Sequence, residues 1–238
     1  MSKPVMTAIT GILAALIVAT ALVLMAMSLK SGLLQFGGAD RVVSVKGLAE
    51  RNVEADLALW PVSFSVADDS LDRLQGKIEE QQGLVRSFLL LRGFVESDIQ
   101  LSMPRITDQH ANTYGNTLSP ERYRAEVTVL VRTQDIESVQ SGMQTVGELV
   151  KSGIALTQNY DSQPRFLFTR LELIKADMIA DATRDARAAA DQFARDADAE
   201  VGSIRRASQG YFSIDDVDPY TPQVKRVRVV TNIDYSLR

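Results

Sequence analysis

The sequence predicts an α+β fold: a largely antiparallel sheet with packed helices, behind an N-terminal transmembrane helix. Three observations predict it. Residues 9–29 carry no charge. Beyond residue 41 the apolar residues alternate between a period of two and one near 3.6. The clearest period-two run puts Tyr123, Ala125, Val127, Val129 and Val131 on one face and Arg122, Arg124, Glu126, Thr128, Leu130 and Arg132 on the other. That is a strand with one dry and one mostly wet side.

The apolar run from Ile9 to Leu29 reaches about 32 Å as a helix, against roughly 30 Å of bilayer hydrocarbon. A cleaved signal peptide and a buried core helix compete with this reading. Signal peptides have an apolar core of about 7–15 residues, and the one small-residue cleavage position here, Ala26-Met27-Ser28, is a poor one. An uncleaved anchor over residues 1–30 is therefore preferred. Lys3 and the amino terminus on one flank balance Lys30 and Arg41 on the other, so charge does not assign the sides. Residues 31–40, glycine-containing and without a period, read as a linker, and 41–238 as one domain.

Within that domain, Arg41–Val45 predicts a short strand ended by Gly47, and 52–66 a longer one with a phase change at Trp60-Pro61, read as a bulge or an edge. Leu71, Leu74, Ile78, Val85, Phe88 and Leu89 share a helical face that Arg92-Gly93 ends. A strand over 99–106, a polar loop over 107–120 and the 122–132 strand follow. Asp135 caps a helix with Ile136, Val139, Met143, Val146 and Leu149 inward, and Gly153 ends it. Strand regions at 154–160 and 166–169 lead into a helix from about Leu171 to Ala199 that carries ten alanines. Strands at 203–213 and 223–237 close the chain, the last with Val227, Val229, Thr231, Ile233 and Tyr235 at period two.

Composition excludes whole classes of function. With Lys3, Lys30 and Asp40 set aside, residues beyond 40 keep 24 basic and 29 acidic side chains, an unsuitable balance for nucleic acid. The chain has no cysteine, which removes disulfides, thiol catalysis and cysteine metal sites. Few side chains read as a site. His110, the only histidine, sits in a polar loop beside Asp108, Gln109 and Asn112 and reads as a solvated loop residue rather than a ligand or an acid–base group. Asp215, Asp216 and Asp218 resemble a calcium loop in composition but lack its glycine turn and distal glutamate. Lys225, Arg226 and Arg228 read as strand-edge charges. In the long helix, Asp177, Asp181, Arg184, Asp185, Arg187 and Arg195 form a charged stripe beside a smooth one of Ala182, Ala186, Ala189, Ala190 and Ala194. The smooth stripe suits packing within the domain or contact between subunits. No catalytic, cofactor or metal residues are assigned, because neither a nucleophile with its base nor a ligand cluster is visible.

Residues 41–58, RVVSVKGLAERNVEADLA, are similar to the opening strand of the SIMPL-domain family. Leu90–Ile99 resembles its helix end, Tyr123-Arg-Ala-Glu-Val-Thr-Val its central strand, and Ala182–Ala199 with Val201-Gly202 its alanine-rich helix and turn. The resemblance implies an exported or membrane-anchored bacterial envelope protein, often associated with oxidative stress, in some members forming large homo-oligomers, with no established catalytic residues. Export places the C-terminal domain in the periplasm, on a single-pass inner-membrane anchor. Of the methionines beyond the anchor, Met103, Met143 and Met178 are candidates for sacrificial oxidation.

The expected function is that of a non-enzymatic, membrane-anchored protein that self-associates into a homo-oligomer larger than a dimer, held in the membrane through residues 9–29, without nucleic acid or cofactor. Interfaces are expected at sheet edges or the 171–199 helix, with Ala190 as the test position. The alternative is a periplasmic ligand-binding module that uses a cleft between sheet and helices, lined by residues such as Trp60, Arg105 or Tyr123.

Overall fold

Strict alternation decides the largest feature of the structure, a computed structural model that describes residues 20–22, 25–26, 41–111, 119–158 and 162–238. The predicted anchor lies outside the described residues except for 20–22 and 25–26, and the linker lies wholly outside. Among the described residues no helix is long and apolar enough to cross a membrane. The chain divides into two compact units, Glu50–Ala176 with Phe212–Arg228, and the described parts of Met1–Ala49 with Asp177–Tyr211 and Val229–Arg238. The strand and helix pattern is α+β with antiparallel pairing.

The first of these units is built on β2 (Leu57–Asp68) and β5 (Tyr123–Thr133), paired antiparallel from Ala58↔Thr133 to Asp68↔Tyr123 without a break. Ala58, Trp60, Val62, Phe64 and Val66 meet Ala125, Val127, Val129 and Val131 on the dry face. Each fully buried side chain of this size contributes about 1.5–3 kcal/mol. Helix α1 (Leu71–Leu91) covers that face with Leu74, Ile78, Val85, Phe88 and Leu89. Two further helices, α2 (Ile136–Thr145) and α3 (Gly147–Lys151), add Val139 and Leu149. Asp135 caps α2 by accepting from Ser138 N at 2.9 Å. Gly93 and Gly153 close α1 and α3 with φ of 89° and 87°, values that favour glycine.

Several predicted elements take a different form. The 52–66 strand is interrupted at Ala55-Asp56, and β2 then runs with no phase change, because Trp60↔Val131 and Pro61↔Leu130 keep register. The strand predicted at 99–106 is two, β3 (Ile99–Leu101) and β4 (Arg105–Asp108). Both pair with β5, but Leu101 faces Val129 while Arg105 faces Glu126, so the segment around Pro104 holds one extra residue. β6 (Arg165–Leu167) pairs with the start of β2 on its other side. The order β3-β5-β2-β6, with β4 also on β5, was not readable from sequence.

In the other unit, β1 (Val42–Glu54) does not end at Gly47 but runs through it. Its inward residues shrink from Val45 to Gly47 to Ala49 because a helix backbone crosses there. That helix is α4 (Leu171–Asp196), whose buried residues are Met178, Ala182, Ala186, Ala190 and Ala194. A Cβ on Gly47 would lie 1.8 Å from Ala182 O and 2.6 Å from Ala186 N. The alanine stripe is therefore an internal packing surface, with Ala186 and Ala190 against Val45, Ile233 and Tyr235. Of the two uses expected for the stripe, packing within the domain is the one seen; Ala190, the position chosen to test a subunit interface, is 0% exposed, so a glutamate there would disrupt the unit itself. The last strands are β7 (Val201–Gln209), β8 (Ser213–Asp216) and β9 (Val224–Leu237); β7 and β8 both pair antiparallel with β9.

Gly47→Val forces strand and helix backbones apart and is expected to cost about 1–3 kcal/mol or more. Gly76→Ala, in α1 where an added Cβ meets nothing within 4 Å, should stabilise by about 0.5–1 kcal/mol. Urea unfolding of the two variants measures both; equal midpoints would contradict the close approach.

Candidate functional site

The alternation along β2 turns the backbone groups of its odd-numbered residues away from β5. Leu57 and Leu59 use theirs on Leu167 and Arg165 of β6. Four residues beyond Leu59, Ser63 O accepts from Thr157 N at 2.7 Å, and Ser65 N donates to Ala155 O at 3.0 Å. Between these partners stands Pro61, which has no N–H to donate. Among the described residues no strand pairs with β2 at that point, and a cleft of ≈ 590 Å³ lies there.

Its apolar wall is Trp60, Pro61, Val62, Met143, Val146, Leu156 and Pro164; its polar wall is Ser63, Thr157, Gln158, Ser162 and Gln163. None of these side chains is ionisable. α2 reaches Trp60 because residue 142 is glycine: a Cβ there would stand 2.7 Å from Trp60 Cζ3. The indole also packs on Phe94, with ring centroids 5.9 Å apart. Trp60 is 4% exposed, so the cleft presents one held edge of a fixed ring rather than a mobile side chain.

A second cavity, ≈ 580 Å³, is lined by Glu54, Asp56, Asp135, Glu137, Thr169 and Arg170, among others. Its fixed point is Asp56. The buried carboxylate accepts from Thr169 N at 2.9 Å, Thr169 Oγ1 at 2.8 Å, Arg170 N at 3.2 Å and Arg170 Nε at 2.9 Å. Burial pushes its pKa up, but the bonds from Thr169 and Arg170 outweigh this and hold it below the usual carboxylate value. With every oxygen occupied by the chain itself, Asp56 ties the β1–β2 corner to the start of α4. Among the described residues no three acidic or histidine side chains converge in a way that would hold a metal.

The profile of the SIMPL family, described as a protein of unknown function (DUF541), matches residues 43–233. The chain belongs to the SIMPL family. No curated protein matches it.

Within this SIMPL chain, the residues singled out from sequence do not gather at one place. Trp60 lines the ≈ 590 Å³ cleft, Arg105 a smaller one of ≈ 270 Å³ with Ser63, Met103, Glu126 and Thr128, and Tyr123 packs against the core under Arg122. His110 Nε2 donates to Ser119 O at 3.0 Å, a bond within the loop. Asp216 pairs with Lys225, while Asp218 accepts from Tyr220 N, Thr221 N and Thr221 Oγ1, so the two acids serve the β8–β9 turn. The edge reading of Lys225, Arg226 and Arg228 is corrected: β9 has a strand on either side, Lys225 is buried, and Arg228 Nε lies 3.4 Å from Glu50 Oε1. Of the three methionines, Met103 is 92% exposed, Met143 lines the cleft and Met178 is sealed in. Sequence reasoning missed Asp56 and Asp68, and the residues Thr157, Gln158, Ser162, Gln163 and Pro164 that complete the described lining of the cleft.

Asp68 accepts from Arg73 Nε at 2.8 Å and from Ser70 N at 3.0 Å, and pairs with Lys77 at 2.9 Å. The Arg73 bond, then that of Lys77, holds its pKa far below the ordinary value. A depressed folded-state pKa contributes stability that is complete above the unfolded value of about 3.9 and is lost as pH falls through the folded value. Stability should therefore decline below about pH 4, and Asp56→Asn with Asp68→Asn should lower it at neutral pH and flatten that acid limb. Denaturant midpoints across pH check this; an unchanged acid limb would remove both carboxylates from the account.

Proposed function

We propose that this SIMPL-family protein is a membrane-tethered, non-catalytic envelope protein whose soluble part works by binding, with the cleft beside Trp60 as its binding site. The observation that carries this is the cleft of ≈ 590 Å³ beside Pro61 of β2, whose lining among the described residues is apolar with a few uncharged polar groups. It combines an apolar wall with a few convergent polar groups, the usual make-up of small-molecule sites. The charge-free run at 9–29 supports the tether, and the export common in the resembling family supports a periplasmic placement on a single-pass inner-membrane anchor. A screen of small neutral and charged compounds by thermal shift, on the full chain in lipid nanodiscs, tests the site. Hits should raise the Tm of the native chain and not that of Val146→Arg, which puts a long cation at a half-buried wall position; hits indifferent to that change would displace the site.

Self-association is the second reading, now moved from α4 to a sheet edge. β3 and β4 pair only with β5 among the described residues, and Leu101, Met103 and Ile106 stand exposed along them. An edge with apolar side chains invites a second copy, and tethering in one membrane plane raises the effective concentration of subunits for weak contacts. The chain should stay in the membrane through a carbonate wash. Extracted in mild detergent, it should then show a light-scattering mass above that of a dimer, reduced by Met103→Glu. A monomer at micromolar concentration would end this second reading and leave the first standing.

A further inference from the structure

We propose that the smaller cleft, at Arg105 and Glu126, holds a free α-amino acid, with the ligand carboxylate on Arg105 and its ammonium on Glu126. This goes beyond the Trp60 cleft, since neither charged residue lines that one.

Strand pairing builds the floor of the cleft. Residues directly opposite one another in an antiparallel sheet share a face. Thr128 of β5 stands opposite Ser63 of β2. On the far side of β5, Ser102 N donates to Thr128 O at 3.1 Å, and on the far side of β2, Thr157 N donates to Ser63 O at 2.7 Å. The pair Leu101↔Val129 and the bridge Phe64↔Leu156 keep the same two registers. Four hydroxyl residues, Ser102, Thr128, Ser63 and Thr157, therefore cross the sheet in one row, on the face away from buried Val127 and Val129. Two residues along β5, Glu126 stands opposite Arg105 of β4. All six residues line the cleft of ≈ 270 Å³.

Opposite charges directly across a sheet ordinarily pair. Arg105 and Glu126 do not: among the described residues neither takes part in an ion pair or a side-chain hydrogen bond. A guanidinium and a carboxylate left unpaired beside a row of hydroxyls match a ligand that carries both charges on one carbon. Its carboxylate can accept two parallel N–H bonds from Arg105. Its ammonium has three donors, for Glu126 and for hydroxyl oxygens. Ser63 Oγ and Thr128 Oγ1 are bonded to each other at 2.9 Å; that bond uses one of their two protons, so the pair keeps one to give. A ligand of single charge would face the like-charged group as well as its partner, and a sugar would use the hydroxyls but not the opposed charges. Size agrees, because ≈ 270 Å³ lies below the roughly 300–1,000 Å³ of drug-sized sites.

Alanine, alaninamide and N-acetylalanine share a side chain; the amide lacks the carboxylate and the acetyl derivative lacks the ammonium. Each is titrated against the full chain in nanodiscs and followed by saturation-transfer NMR, with glucose as a fourth probe. Alanine should saturate, and the two analogues should bind about tenfold more weakly or worse. Two variants assign the ends of the ligand. Arg105→Gln should erase the advantage of alanine over alaninamide and keep its advantage over N-acetylalanine; Glu126→Gln should do the reverse. A merely structural role for either residue would not give that crossed pattern. Both positions are exposed, and circular dichroism verifies that the variants are folded. If alanine does not saturate, or the crossed pattern is absent, the inference is overturned. Saturation by glucose and not by alanine overturns it equally. None of these outcomes decides the Trp60 cleft, which stands or falls on the response to Val146→Arg.

Discussion

The unbroken antiparallel ladder between β2 and β5 is the constraint from which the first unit follows. A strand's side chains alternate strictly, so a slip of one residue would turn Phe64, Val127 and their neighbours to water and bring Ser63, Glu126 and Thr128 inward. That penalty falls on every pair at once, which is why the register holds past a proline and beside a bulge in the neighbouring strand. α1 and α2 pack where the ladder's dry face offers apolar area. The cleft is a consequence of the same ladder, since it lies where Pro61 leaves the outer side of β2 without a bond to give.

Both ends of β2 are fastened in the same way. Asp56, just before the strand, accepts from the backbone N–H groups of Thr169 and Arg170 ahead of α4; Asp68, its last residue, accepts from Ser70 N ahead of α1. The first N–H groups of a helix have no partner within it and carry partial positive charge, so a carboxylate satisfies them and is stabilised by them. Arg170 and Arg73 add a guanidinium to each. The strand that carries Trp60 is thus pinned at its two ends by groups whose charge depends on pH, and its middle is held by apolar packing that does not.

Local pattern made most of this legible. Period two located β2, β5 and β9, period 3.6 located α1 and α4, and the Asp135 cap was read correctly from its position before Ile136. Residue type misled where one residue answers to two causes. Gly47 reads as a strand terminator in isolation, but in the fold it is the residue that admits a helix backbone, a cause 135 positions away at Ala182. Pro61 reads as a bulge, yet it occupies a ladder position with no partner to lose. Asp56 is an ordinary exposed-type residue until Thr169 and Arg170 arrive from 113 and 114 residues on. The cleft was half legible: Trp60 was named from sequence, while its far wall, with Leu156, Gln158 and Pro164, depends on a chain return that no period encodes. A proline inside an otherwise regular strand, next to the chain's one tryptophan, was the signal available.

The inward turn of the alanine stripe changes what the outer surface of α4 has to offer. The face left over is Asp181, Arg184, Arg187 and Asp191, already joined in pairs along the helix, and exposed pairs of that kind contribute little and are screened by salt. Residues beyond 40 carry 24 basic and 29 acidic side chains, while the described lining of the Trp60 cleft holds none. What these described side chains offer a ligand is therefore shape, apolar area and single hydrogen bonds, interactions that salt screens far less than it screens the ion pairs on α4.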